Sequence, residues 1–315
     1  MDIDNDVPRM KRVSEKTNPV DGHVSWSWKK SFWITSHLLI GLIGGALTFS
    51  LDSFLLFLFF TGMTACLGHS LGMHRLLIHH SYKCPKWLEY FFIHLGTVFG
   101  MQGPFGMMRG HDIRDWAQRH PKCHDYLKHG SGFIKDGWWQ LHCDLALDYP
   151  PQFIPEKQVG EDKVYQFMQR TWMLQQLPWV ILFYLLGGWP WVIWGISVRI
   201  PIQLTGHWLV GYVSHNFGSR DWEIEGAAVQ GYNVDIAGFF TMGEAWHNNH
   251  HAFPGSARLG IYENQIDIGW WVLKLLNIFG LVWDIKLPKD LPFRNELHAI
   301  SNRAIKEKRP ASKGI

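Results

Sequence analysis

Two long stretches of the chain contain almost no charged residues, and both are apolar enough to lie in a lipid bilayer. Between Ser31 and Met73 there is no Lys or Arg, and the only acidic residue is Asp52. This stretch divides into two apolar segments, 31–49 and 54–73. About 20 helical residues cross the roughly 30 Å hydrocarbon core of a bilayer. The pattern therefore predicts a hairpin of two transmembrane helices.

The second stretch, residues 171–215, contains only one charged residue, Arg199. The sequence Gly-Gly-Trp-Pro at 187–190 predicts a break that divides this stretch into two helices. Arg199 would lie near the outer face, where we expect its long side chain to reach the lipid headgroups. The chain is therefore predicted to be an all-α integral membrane protein with four transmembrane helices, at about 31–49, 54–73, 172–188 and 190–215.

The basic residues indicate which side of the membrane each segment faces. The two hairpin turns, near 50–53 and 187–191, contain no Lys or Arg. All 30 basic residues lie in the N-terminal segment, in 74–170, or from Arg199 onward. Because positive residues favour the cytosolic side, both termini and 74–170 are predicted to be cytosolic. The predicted organisation is a polar and basic N-terminal flank (1–30), a membrane domain with a mainly helical cytosolic cap (31–288) and a cytosolic tail (289–315).

Composition excludes several functional classes and favours a metal site. The chain has 18 His but only four Cys, and none of these form a Cys-x-x-Cys pair, so a zinc ribbon or an iron–sulfur framework is not supported. A net charge of +3 is too small to indicate a nucleic-acid partner. The 18 Trp and 20 Phe are typical of a membrane interface. Two further apolar segments, 84–108 and 260–288, carry charged residues and are predicted to lie on the membrane surface or against the cap.

Histidines are concentrated where the predicted topology brings them to one side of the membrane. The segment GEAWHNNHHAFPG, residues 243–255, holds three of them at i, i+3 and i+4, which is one face of a helix. Imidazole is a good ligand for zinc, copper, iron and nickel. Seven histidines exceed the four or so ligands that one zinc ion takes, so the pattern favours a two-metal site. The seven are His74, His79, His111, His215, His247, His250 and His251.

Three motifs resemble those of the membrane-bound fatty acid desaturases, in particular the acyl desaturases of the stearoyl type. HRLLIHHSYK is similar to the family's first histidine box, GEAWHNNHHAFP to its third, and RIPIQLTGHWLVGYVSHNFGSR to the signature of its fourth membrane helix. The resemblance runs from about residue 31 to residue 288. It implies four membrane helices capped by a cytosolic domain, a narrow tunnel for the acyl chain, and two iron ions whose ligands are the seven histidines.

The resemblance also implies a reaction, the oxygen-dependent removal of two hydrogens from adjacent methylenes of a long-chain fatty acyl substrate. Breaking an unactivated C–H bond requires a redox-active metal, because side chains supply no such oxidant. No haem-binding, flavin-binding or iron–sulfur motif is present, so the electrons are expected from an external electron-transfer protein. His207 and Trp246 are candidates to line the substrate tunnel within the lipid bilayer.

The chain departs from this family at two places. The second histidine box normally reads His-x-x-His-His, whereas the matching residues here are His111, Arg114 and Asp115. Because a carboxylate can replace an imidazole as an iron ligand, Asp115 is predicted to bind metal, with His124 as a second candidate. In the fourth membrane helix, Gly211 and Tyr212 stand where the family usually has Asn-Ser, which removes a polar group expected to hold a metal-bound water.

These departures leave two alternatives to a desaturase. One is a related membrane di-iron enzyme that hydroxylates or otherwise oxidises acyl chains. The other is a catalytically inactive, lipid-binding membrane protein. The intact first and third histidine boxes favour an active enzyme, and analysis of the lipid product would distinguish a double bond, a hydroxyl group and no reaction.

Overall fold

The computed structural model describes residues 7–308, which are mostly helical. In chain order the helices are α1 (Trp28–Leu47), α2 (Leu51–Ile78), α3 (Lys86–Val98), α4 (Pro104–Arg119), α5 (Asp125–Lys128), α6 (Phe133–His142), α7 (Lys157–Gly160), α8 (Lys163–Arg170), α9 (Leu177–Val192), α10 (Arg199–Asn216), α11 (His247–Ala252), α12 (Ile268–Ile278) and α13 (Asn302–Lys308). The second half of α2, from Thr64, is π-helical, and a π-helical turn joins α9 to α10. Short 3₁₀ turns occur at Leu174–Gln176, Asp235–Ala237 and Pro288–Asp290.

The strands form three small antiparallel sheets within this described part of the chain. β1 (Met10–Lys11) pairs with β4 (Gln152–Phe153), β2 (Gly22–Trp26) with β3 (Cys143–Leu147), and β5 (Trp222–Ile224) with β6 (Leu297–Ala299). The residues before α1 are therefore bound to the segment that follows α6. The sequence predicted only a polar flank there, because strands of two to five residues depend on partners that are distant in the sequence.

Three helices are long and apolar enough to cross a membrane: Trp28–Leu47, Leu51–Ile78 and Leu174–Asn216. The third has 43 residues, about 65 Å if it were straight, or roughly twice the thickness of the hydrocarbon core. It is not straight, since Gly188 has non-helical angles (φ 66°, ψ −157°). Arg199 Nη2 also donates a hydrogen bond to Gln176 Oε1 at 2.8 Å, although 23 residues separate them. The two arms therefore run antiparallel, with the break inside the predicted Gly-Gly-Trp-Pro segment.

Arg199 itself contradicts the expectation that its side chain reaches the lipid headgroups. Its surface is fully buried, and the guanidinium donates to the Gly195 carbonyl, Gln203 and Gln176. Gln203 in turn donates to Thr64 Oγ1 in α2. A buried cation needs such acceptors, and the glutamines supply them without a carboxylate. Arg199 is thus part of the contact between the two hairpins.

Helix α3 lies unusually close to the π-helical half of α2. A Cβ on Gly68 would lie 2.6 Å from the Leu95 carbonyl oxygen, and one on Gly72 would lie 2.7 Å from the Phe92 carbonyl oxygen. Real Cβ atoms do not approach backbone this closely, so the contact requires glycine at both positions. After Gly72, α2 also packs against α3, α4 and α8, through a buried cluster that includes Met73, Ile93, Met108 and Tyr165.

The two apolar segments predicted to lie outside the bilayer form short helices. In 84–108, α3 ends at Val98 and α4 begins at Pro104, so neither reaches the length of a membrane span. In 260–288, α12 has 11 residues. Leu273 of α12 is fully buried in a cluster that contains Leu71 of α2, whereas Ile278 is 79% exposed. An element with one packed face and one exposed apolar face is typical of a membrane-surface helix.

Candidate metal centre

The first group of metal-competent side chains contains four histidines, His74, His79, His111 and His250, whose ligand nitrogens all lie within 4.8 Å of one another. His74 lies in the last turn of α2, and His79 directly follows that helix. His111 comes from the middle of α4 and His250 from α11. The Nε2 atoms of His79 and His111 are 3.2 Å apart. We call this group the first cluster.

The second cluster contains His215, His247 and His251. His247 Nε2 lies 3.1 Å from His215 Nε2 and 3.0 Å from His251 Nε2. A neutral imidazole nitrogen carries either one hydrogen or one lone pair, so it cannot form ordinary hydrogen bonds with both neighbours. Two ligands bound at about 2.1 Å and at right angles lie about 3 Å apart. These distances therefore fit nitrogens that point at a common cation.

Helix α11 supplies histidines to both clusters. His247 and His251 are four residues apart and belong to the second cluster, whereas His250 points to the first. The intervening Asn248 and Asn249 are buried and hold the helix in place. Asn248 Oδ1 accepts from the backbone of Asp221 and Trp222, and Asn249 Nδ2 donates to the Leu259 carbonyl and to Gln265. The two asparagines therefore fix the orientation from which the three imidazoles project.

A buried arginine joins the first histidine box to the loops around α11. Arg75, next to His74, donates to the carbonyl of Ala257 at 2.7 Å and to that of Met242 at 3.0 Å. It also forms an ion pair of 2.9 Å with buried Asp267. Because each acceptor flanks the segment that carries α11, Arg75 fixes the position of α2 relative to the third histidine box.

Several ligand imidazoles have a partner on the ring nitrogen that faces away from the cluster. His111 Nδ1 lies 3.2 Å from Asp112 Oδ1, and His215 Nδ1 donates to the Gly211 carbonyl at 2.7 Å. His74 Nδ1 lies 2.6 Å from Glu244 Oε2, and Ser70 donates to the other oxygen of Glu244. The partners of His111 and His215 select the tautomer that leaves the opposite nitrogen free for a metal. The Glu244 carboxylate faces His74 Nδ1 without hydrogen-bond geometry.

The environment of α11 keeps its imidazoles neutral. Burial, followed by repulsion from His251, holds the pKa of His247 well below its usual range. Burial and repulsion from His74 do the same for the pKa of His250. Burial also lowers the pKa of His251 to about 4, against the opposing field of Asp115. A neutral ring has a lone pair for a metal, so the three histidines are in their ligating form at neutral pH.

The altered second histidine box lies beside the two clusters. Asp115 Oδ1 forms an ion pair with Arg119 Nε at 3.2 Å. Burial acts to raise the pKa of Asp115, but the Arg119 guanidinium and then His111 outweigh it and hold that pKa below its usual range. Asp115 is therefore a charged carboxylate close to His111 and His251, although it falls in neither cluster. Its role as a ligand stays a prediction.

Arg114 and His124 point elsewhere. Arg114 donates to the carbonyls of Tyr126 and Leu127 and to Gln140. His124 caps α5, with its Nδ1 accepting from the backbone N–H of Tyr126 at 3.1 Å, and it also lies outside both clusters.

His129 is a neighbour of the second cluster that the sequence did not single out. Its ring stacks on His215 with 5.3 Å between centroids, and its Nδ1 lies 2.8 Å from buried Asp136. A Cβ on Gly211 would lie 3.2 Å from His129 Nε2. The ring thus occupies the space left by the absent side chain at position 211. The Nε2 atom also lies 3.3 Å from Arg114 Nη1, which completes a buried polar network.

The two residues predicted to line the tunnel have different surroundings. The side chain of His207 is exposed, but it does not lie on the outer side of α10. That side carries the exposed Ile202, Thr205 and Leu209, and His207 lies on the opposite side of the helix. Its ring packs edge-on against His69 at 4.9 Å, so that surface faces the interior of the helical bundle. Trp246 is buried, and its indole N–H donates to the Ile266 carbonyl at 2.7 Å. A tunnel-lining role for either residue stays a prediction.

Comparison with known proteins gives a consistent set of relatives. The sn-1 stearoyl-lipid 9-desaturase of Anabaena variabilis is 36% identical over 262 residues, which is 81% of this chain and 94% of that protein. The sn-1 stearoyl-lipid 9-desaturase of Synechocystis is 34% identical, over 86% of this chain and 83% of its own length. The acyl-CoA C20 Delta5-desaturase of Anemone leveillei is 33% identical over 89% of each chain. No protein-family model matches the chain.

Proposed function

Because this chain belongs to the fatty acid desaturase family and is a fatty acyl desaturase, we propose that it acts at two iron ions held by the two histidine clusters. The observation that carries the proposal is the arrangement of seven histidines in two adjacent groups that share α11. Groups of four and three imidazoles suit two ions better than one, because a single first-row ion takes about four to six ligands.

Bound iron would supply the redox chemistry with dioxygen that amino-acid side chains lack. The side chains around it would orient the ligands and exclude water. Asp112 accepts a hydrogen bond from the outer ring nitrogen of His111, and the Gly211 carbonyl accepts one from that of His215. The Glu244 carboxylate faces the outer nitrogen of His74. Asp115 would add a negatively charged ligand beside His111 and His251.

The apolar interior of the helical hairpins would hold the acyl chain. A long alkyl chain gains free energy by leaving water, and a narrow sleeve places one pair of methylenes near the metals. We propose that the inward surface of His207 forms part of this sleeve, because it lies two turns before His215 on the same side of α10. Trp246, which precedes the first ligand of α11, is proposed to limit the sleeve at its cap end.

We propose four membrane crossings, with the cap and both termini in the cytosol. The hairpin formed by α9 and α10 supports this count, since each of its arms is long enough for a single crossing. The ligands support a common side, because His74 and His215 both lie at the ends of their helices that lead into the cap. Basic residues concentrate in the same segments.

The acyl substrate would enter from the bilayer or from a soluble carrier. Two of the relatives are named as stearoyl-lipid desaturases and one as an acyl-CoA desaturase, so we propose a long-chain acyl group attached to a membrane lipid or to CoA. Electrons would come from a separate electron-transfer protein, because the chain carries no motif for a haem, flavin or iron–sulfur group of its own.

The proposal is tested by metal analysis together with product analysis. The full-length protein, purified in detergent, should contain close to two irons per chain. Supplied with a ferredoxin or cytochrome reducing system and either stearoyl lipid or stearoyl-CoA, it should yield an acyl chain two hydrogens lighter. Stoichiometric zinc, or one metal at most, would contradict the di-iron centre. A hydroxylated product would instead show that the altered second box redirects the oxidation.

A further inference from the structure

Arg9 is buried against the first cluster, although it comes from the segment before the first membrane helix. Only 8% of its surface is exposed. Its Nε donates to Asp112 Oδ2 at 2.5 Å and its Nη2 to Asp112 Oδ1 at 3.2 Å. The same Nη2 donates to the Ile78 carbonyl at 2.8 Å, and Nη1 donates to Glu156 at 3.1 Å. The guanidinium therefore has acceptors on each of its three nitrogens.

Two of these acceptors are directly connected to proposed metal ligands. Asp112 Oδ1, which accepts from Arg9, also lies 3.2 Å from His111 Nδ1. Ile78 is the residue before His79. Arg9 thus contacts a neighbour of each member of one nitrogen pair in the first cluster, the Nε2 atoms of His79 and His111, which are 3.2 Å apart. It does so from outside, through a carboxylate on one side and a backbone carbonyl on the other.

The energetics favour a specific arginine here. Asp112 is 2% exposed, and a buried carboxylate is costly unless it is paired and hydrogen-bonded. Arginine satisfies both carboxylate oxygens with a planar fork, which a lysine ammonium does not reproduce. Without Arg9, Asp112 would keep only its contact with His111, and it could rotate toward water or draw the imidazole away from the cluster.

The segment that carries Arg9 is anchored on both sides of it. Val7 and Met10 are buried in one core cluster with Trp116 and Ala117, which directly follow Asp115 on α4. Met10 also pairs with Phe153 in the β1–β4 sheet. The arginine is therefore held in position by apolar packing that does not itself involve the metal ligands.

We propose that Arg9 is a positioning residue of the first cluster. By fixing Asp112 and the backbone at Ile78, it sets the directions in which His111 and His79 present their Nε2 atoms to the metal. The N-terminal segment is then a component of the metal centre and not a flank of the membrane domain. This inference rests on the proposed metal-binding function of the first cluster.

The test compares variants of the full-length protein in the monodisperse, detergent-purified fraction. Loss of an outer partner of a metal ligand typically weakens metal binding about 10–100-fold. We expect Arg9→Ala to weaken the binding of one of the two irons by such a factor, with Arg9→Lys recovering part of the loss. Lys11→Ala is the matched control, because Lys11 is an exposed basic residue two positions after Arg9, and this variant should bind iron as the unaltered protein does.

A spectroscopic measurement separates positioning from a general loss of stability. In Mössbauer spectra of protein loaded with ⁵⁷Fe, Arg9→Ala should change the signal of one iron and leave the other as in the unaltered protein. If Arg9 acts through Asp112, the double variant with Asp112→Asn should bind iron no more weakly than Asp112→Asn alone. A lower melting temperature with two unchanged iron signals would overturn the inference. Absence of iron from the unaltered protein would instead contradict the proposed function.

Discussion

A histidine that faces two other histidines through one ring nitrogen is poorly satisfied by hydrogen bonding alone. His247 is in this position, between His215 and His251. Without a cation, its single Nε2 hydrogen or lone pair can satisfy only one of the two neighbours fully. We therefore expect the second cluster to bind a metal, and the loss of one ring to matter more than the loss of a single hydrogen bond.

The first prediction follows for His251, the last ligand in the chain. His251→Ala removes one of only three imidazoles in the second cluster, so we expect the loss of about one iron per chain and of desaturase activity. Insertion into the membrane should be unchanged. His298→Ala is the control, because His298 is exposed and pairs with Glu225 at 3.0 Å, away from the clusters. Normal activity of His251→Ala would show that the third box does not carry the reaction.

A second prediction concerns Asp115, which has two competing roles. Its carboxylate pairs with Arg119, yet His111 and His251 are also close enough to help hold its pKa below the usual range. Asp115→Asn keeps the size and removes the charge. If Asp115 binds iron, this variant should lose iron and activity together, whereas His124→Ala should keep both. The reverse result, full iron in Asp115→Asn and loss in His124→Ala, would transfer the ligand role to His124.

For single residues, the sequence identified the candidate ligands but not the groups that orient their rings. Histidines could be identified because their chemistry is visible in the residue type and their spacing matches one face of a helix. Glu244 and Asp112 lie beside predicted ligands, but nothing in the sequence showed that they face the outer ring nitrogens. Arg9 gave no local signal at all, since its partner Asp112 is 103 residues away.

The elements show how helix contacts place the ligands. Hydropathy predicted the apolar helices and the Gly-Gly-Trp-Pro break. A bilayer requires long helices whose backbone groups are hydrogen-bonded within the helix, and a glycine with positive φ interrupts such a helix. It could not predict the π-helical half of α2 or its close contact with α3. The contact depends on glycines that, in the sequence, resemble any others in an apolar run.

A third prediction tests this contact with one pair of glycines from the same helix. Gly68→Ala places a methyl group against the backbone of α3, so it should destabilise the protein by about 1–3 kcal/mol, as overpacking does. Gly62→Ala is the control, because a Cβ there meets no atom within 4 Å, and it should be neutral or slightly stabilising. Thermal unfolding in detergent measures both. Equal melting temperatures for the two variants would contradict the close approach of α2 and α3.

For the whole molecule, the main question is whether all ligands share one side of the membrane. In the proposed arrangement the two hairpins, α1 with α2 and α9 with α10, each begin and end in the cap, and this requires an even number of crossings. The family could be predicted from three motifs, whereas the packing of the N-terminal segment into the cap required the folded chain.

The last prediction tests the topology directly. Reporter fusions at residue 30, within 130–160 and at residue 300 should all report the cytosol, since basic residues concentrate in those segments. Fusions near 52 and 188 should report the opposite side. Enzymatic reporters that are active on only one side of the membrane make the measurement. A cytosolic signal at either hairpin turn would remove the four-crossing arrangement and place the ligands on different sides.

Because α11 contributes to both clusters, the order of synthesis determines when a metal can bind. Three residues of the first cluster and one of the second are synthesised before residue 247. Neither cluster is complete until the six residues of α11 follow, by which time both apolar hairpins have already been made. If the two clusters bind iron as proposed, neither site can be filled until the helices that enter the membrane have been synthesised.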